Sequence, residues 1–73
     1  MVNPVMNKIK QEIKVFEAKD RAMVDEYYRD GLVEYSRGNI EKAIWNWESA
    51  LRIDPDNEKV RNALAQAKRE LKR

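Results

Sequence analysis

The chain has 73 residues, with 15 Lys and Arg against 13 Asp and Glu, and it contains no cysteine and no histidine. Such a length allows one domain with one small core; the composition excludes a disulfide staple, argues against a zinc site, and removes the commonest general base and the best nucleophile. A net charge of +2 with both signs mixed speaks against nucleic-acid binding through bulk charge.

Met1 to Pro4 reads as a short leader, with Asn3 suited to cap a helix and Pro4 to its first turn. Lysines and glutamates interrupt the N-terminal region too often for a signal-peptide core, and no apolar run approaches the ~20 residues that span a bilayer. The compartment stays open, as does whether these residues are a whole protein or part of a longer one.

From Val5 to Arg37 there is no proline, and no glycine before Gly31. Met6, Ile9, Ile13, Phe16, Met23 and Tyr27 recur at spacings of three, four, three, seven and four, an apolar stripe with one polar interruption at Asp20. Two arrangements follow. Residues 4–19 form a helix that turns near Lys19-Asp20 and packs back, or residues 4–37 form one helix about 50 Å long. The segment AKDRAMV contains no breaker, which favours the continuous helix. In that arrangement residues 4–20 overhang, and Ile9, Ile13 and Phe16 need a second chain to cover them.

Val24 to Asn57 holds two helical patterns back to back, hinged at Gly38-Asn39 and stopped at Asp54-Pro55. The first carries an apolar row of Val24, Tyr28, Leu32 and Tyr35, with Tyr27 and Gly31 beside it. In the second, Ile40, Ala43, Ile44, Trp47, Ala50 and Leu51 fall on one face. Asn39 can cap this helix, and Gly38 can take the left-handed conformation that ends the one before. Trp47 belongs to the apolar face. Trp45 lies about 160° away round the wheel, beside Glu41, Glu48 and Arg52. A tryptophan there is either partly covered by long side chains or an anchor in a protein contact. After Pro55, with Asp56 or Asn57 as cap, Val60, Ala63, Leu64, Ala67 and Leu71 form the stripe of a last helix. Its basic end, KRELKR, suits the helix dipole and has no aromatic platform for RNA.

The stretch from Val24 to Asn57 resembles a tetratricopeptide repeat, a helix–turn–helix unit of about 34 residues. Tyr27 stands at the first large aromatic and Gly31 at the small residue of the first helix. Ala43 and Trp47 stand at the alanine and the aromatic four residues on, and Ala50, Leu51 and Pro55 match the end of the unit. Asp30 and Glu34 depart from the pattern, replacing its leucine and tyrosine. The resemblance implies that the first helix lines a concave groove, with Tyr28, Leu32 and Tyr35 facing it. It equally implies a closing helix with a polar outer face, which 58–73 matches. The expected fold is all-α and a single domain: a hairpin (24–57) flanked by an N-terminal helical extension (4–23) and a capping helix (58–73).

No catalytic constellation is visible. Ser36 and Ser49 lack a base and read as surface residues, and the pairs Asp25–Asp30 and Glu41–Glu48 read as solvated faces. Asp54, Asp56 and Asn57 lack the glycine and closing glutamate of a calcium loop. The expected function is therefore non-enzymatic, with no cofactor, no metal, no nucleic acid and no membrane insertion. One repeat cannot cover both its faces, and three or more normally stack. Chains that serve as each other's neighbours solve this, a twofold dimer being the commonest way. The expected contact residues are Ile9, Ile13, Phe16, Met23, Tyr28, Leu32, Tyr35 and Trp45. The alternative is a monomer that recognises an extended peptide or helix of another protein over Tyr28, Leu32 and Tyr35, residues that would otherwise be core.

Overall fold

The computed structural model describes residues 16–72, which form three helices. They are α1 (Ala18–Ser36), α2 (Ile40–Ile53) and α3 (Glu58–Leu71). Helix α1 packs on α2, and α2 packs on α3.

The continuous helix expected over 4–37 does not hold at the start of α1, and the turn expected near Lys19-Asp20 falls earlier; whether the preceding residues pack back lies outside the described residues. Glu17 is extended, with φ −102 and ψ 170, so no helix runs through it. Its backbone N–H donates to Asp20 Oδ2 at 3.0 Å, and Asp20 lies in the first turn, where an acid is favoured by the helix dipole. Lys19 and Asp20 are therefore inside the helix rather than at a turn. Met6, Ile9 and Ile13 lie outside the described residues.

Helix α1 ends as expected. Gly38 has φ +83, which a residue with a Cβ rarely adopts. This brings Asn39 N–H to Glu34 C=O at 2.9 Å and Gly38 N–H to Tyr35 C=O at 3.0 Å, a Schellman closure. The cap expected of Asn39 is not made: its side chain makes no capping bond to α2. Asn39 Nδ2 instead donates to the Glu34 carboxylate at 3.0 Å, tying the turn back to α1. Helix α2 ends before Pro55, and the Asn57 side chain caps α3, accepting from Val60 N–H at 3.1 Å.

The core is small. Val24, Ala43, Trp47, Ala50, Val60, Leu64 and Ala67 are its buried apolar residues, with Trp47 and Val60 the largest that are fully enclosed. Gly31 lets α1 and α2 approach closely. A Cβ at that position would lie 2.6 Å from Trp47 Cδ1 and 2.7 Å from Cε2. Trp47 Nε1 donates to the Tyr28 carbonyl at 3.1 Å, so its one polar atom is satisfied inside the core. Ser49, expected on the surface, is buried. Its Oγ donates to the Trp45 carbonyl at 2.9 Å, which lets a hydroxyl sit in the interface without an unmet bond.

Candidate functional site

Helices α1 and α3 stand either side of a groove whose floor is Trp47. Helix α1 supplies Tyr28, Leu32 and Tyr35, which the spacing of four and three places along one edge. Helix α3 supplies Lys59, Asn62, Ala63 and Gln66, again one helical edge. The groove encloses about 370 Å³. Tyr28 and Tyr35 are half-buried and pack on Trp47, with ring centroids 6.5 and 5.8 Å away. Leu32 is 42% exposed. Tyr28 and Tyr35 thus pack against the core from the groove side, while Leu32 is open; residues 5–15, expected to be able to cover all three, lie outside the described residues.

Polar contacts bridge the two walls at both ends. Lys59 Nζ sits 4.5 Å from the centroid of the Tyr28 ring, a cation–π contact. At the other end Tyr35 Oη donates to Glu70 Oε1 and accepts from Gln66 Nε2 at 3.5 Å. The bond to Glu70 is the main reason the Tyr35 phenol is held above its usual value of 10.0, since ionisation would remove the proton the carboxylate accepts; desolvation and then the repulsion of two anions add to it. Between these bridges Asn62 has no side-chain hydrogen bond among the described residues. Its amide offers a donor and an acceptor to whatever enters, as a peptide backbone requires.

The remaining expected contact residues lie elsewhere. Trp45 is 55% exposed and meets Tyr27 edge-on, with centroids 6.1 Å apart and planes at 74°. It lines a second groove, of about 440 Å³, between α1 and α2, together with Asp30, Val33, Glu34, Arg37, Lys42 and Asn46. Met23 is exposed one turn before Tyr27. Phe16 is also exposed, with the Arg21 guanidinium 5.8 Å from its ring centroid. Ile9 and Ile13 lie outside the described residues. Thus Tyr28, Leu32 and Tyr35 come together, and Trp45 belongs to a different surface. The polar wall of the first groove was missed from sequence; the only signal is that Lys59, Asn62 and Gln66 share an edge of α3 beside Val60, Ala63 and Ala67.

Among the described residues no group of acidic, histidine or cysteine side chains could hold a metal ion, and no helix is long and apolar enough to cross a membrane.

A short helical hairpin, closed by a third amphipathic helix and open along the α1–α3 groove, defines a helical-repeat protein of the kind that presents a surface to other proteins. The family model described as TPR repeat matches residues 31–71, more than half of the chain, and the chain belongs to that family. The match runs through α3, so the last helix belongs with the repeat. No curated protein and no solved structure matches the chain. The family is in general a non-catalytic fold for protein–protein interaction, which suggests that role here.

Proposed function

We propose that the chain binds an extended or helical segment of another protein in the α1–α3 groove. The observation that carries this reading is that α3 forms the second wall. A single hairpin has only one face to offer, but with α3 beside it Tyr28, Leu32 and Tyr35 look across at Lys59, Asn62 and Gln66. The aromatic edge supplies apolar contact at little entropic cost, and the free Asn62 amide supplies backbone recognition. The acceptors and donors already spent on Tyr35, Glu70 and Gln66 hold the walls in register before any partner arrives.

The test is selection from a random peptide library displayed on phage, followed by titration of the selected synthetic peptides. Tyr28→Ala and Asn62→Ala should each weaken binding, by about tenfold or more, while Trp45→Ala leaves it unchanged. Peptides that bind all three variants equally would refute the assignment of the groove.

A second reading, self-association, is favoured by a separate observation. Val33 and Trp45 expose apolar surface side by side in the α1–α2 groove, away from the α1–α3 groove, and Phe16 and Met23 are exposed toward the start of the described chain. In this reading a second copy supplies the neighbour that a single repeat lacks. A molar mass that stays at 8.7 kDa at every concentration in sedimentation would exclude it.

A further inference from the structure

The groove between α1 and α2 has an arrangement of charge that selects its occupant. Along α1 toward the Gly38 turn, its lining residues are Asp30, Val33, Glu34 and Arg37; returning along α2 they are Lys42, Trp45 and Asn46. The basic side chains therefore crowd the turn end. Asp30, the unpaired acid, sits about two turns deeper than Arg37 on α1, and the Trp45 indole about one turn deeper than Lys42 on α2. Asp30 and Lys42 take part in no ion pair among the described residues, and Arg37 reaches only Glu34, at 3.5 Å on an exposed edge. Val33, at 45% exposed, and Trp45, at 55%, give the groove an apolar centre.

We propose that this face is covered by the same face of a second copy, with α1 antiparallel to α1 across a twofold axis that passes between Val33 and Glu34. The inference rests on the self-association reading and specifies its geometry. Residues 30 and 37 are equidistant from that axis, so Asp30 of each copy lies opposite Arg37 of the other. On α2 the same rotation sets Trp45 opposite Lys42 of the other copy, an ammonium over an indole face. Val33 meets its own symmetry mate at the centre. A surface whose acid and base are exchanged by a twofold rotation is complementary to itself, and an isologous contact of this kind closes at two copies. Head-to-tail stacking is disfavoured because α3 has little to offer in return. Of the large apolar side chains exposed among the described residues, only Leu71 belongs to α3. The two departures from the repeat pattern, Asp30 and Glu34, both line this face; a leucine and a tyrosine there would remove the charge pairing.

The experiment is sedimentation equilibrium of the full chain and three variants, with circular dichroism confirming that each is helical. Trp45→Ala should weaken the dimer by about a hundredfold, since the residue enters the contact twice. Asp30→Arg and Arg37→Asp should each weaken it by about tenfold. An equimolar mixture of those two single variants should recover the parent affinity, because each then offers the other opposite charges at both sites. Loss of helix stability alone would not produce that recovery. A dimer indifferent to all three substitutions, or a mixture no tighter than its components, overturns the proposed face and leaves self-association through another surface. A parent chain that never associates overturns both.

Discussion

Gly31→Ala tests the packing on which both grooves depend. The added Cβ would lie 2.6 Å from Trp47 Cδ1 and 2.7 Å from Cε2, and it also meets Nε1. These atoms belong to a rigid ring that is 1% exposed and bonded to the Tyr28 carbonyl, so the ring cannot swing aside as a flexible chain end would. Replacing glycine in a helix interior gains about 1 kcal/mol of propensity. Against this stands overpacking, about 1–3 kcal/mol, and the Trp47–Tyr28 hydrogen bond, worth about 1 kcal/mol if the ring is displaced. The balance is a net loss of about 2 kcal/mol. For a chain this small that is a large part of the total stability. With a urea slope of about 1 kcal/mol per molar, the midpoint should fall by roughly 2 M, followed by far-ultraviolet circular dichroism. In a Trp47→Phe background the same substitution should cost much less, since the smaller ring leaves room. A midpoint that rises or stays put in the parent background would refute the claim that Gly31 is small because Trp47 is close.

Three further outcomes follow from individual bonds. Stability should fall above the usual tyrosine value of 10.0, and more so than in Tyr35→Phe. The folded-state value is raised, so the contribution is complete below the unfolded value and is lost as pH climbs through the folded one; denaturation as a function of pH reads the difference. Asn57→Ala removes the side chain that accepts from Val60 N–H and should cost about 1 kcal/mol by urea denaturation, with amide exchange at the start of α3 accelerating first. Gly38→Ala forces a side chain into φ +83 with open space around it, so the strain is purely of the backbone. About 1 kcal/mol should be lost, and Gly38→Asn, which tolerates that conformation better, should lose less.

The hairpin and its closing helix were legible because their signals reinforce one another. Ala43, Trp47 and Ala50 are buried together, and the gaps between them are those of the repeat. Gly38 and Pro55 mark the ends by backbone chemistry that does not depend on partners. The start of α1 was not legible for the opposite reason. Glu17 and Asp20 are ordinary helix-surface residues until the backbone of Glu17 is extended, and only that and the bond between them show that they form an end. Asn39 misled in the same way: its residue type suits a cap, but the Glu34 carboxylate competes for its side chain and wins. Ser49 looked like a surface residue because a hydroxyl costs nothing to bury once the Trp45 carbonyl, a turn earlier, accepts from it.

The α3 wall of the α1–α3 groove escaped notice for a deeper reason. On an amphipathic helix, polar residues at the edge of the apolar stripe are indistinguishable in sequence from those pointing to water. What separates Lys59, Asn62 and Gln66 from the others is α1 on the far side of the Trp47 floor, which fills one side of their surroundings with Tyr28 and Tyr35. The helix that ends the hydrophobic core is thus also the helix that turns a hairpin into a groove. Its two tasks use different residues: Val60, Leu64 and Ala67 close the core, and the neighbouring edge faces α1. Substitutions on the groove edge should therefore change recognition while leaving stability within about 0.5 kcal/mol, whereas substitutions on the buried stripe should do the reverse. Parallel denaturation and peptide titration of Asn62→Ala and Val60→Ala would separate these. If Asn62→Ala unfolds the chain as readily as Val60→Ala, the edge is part of the core and the division of labour within α3 is wrong.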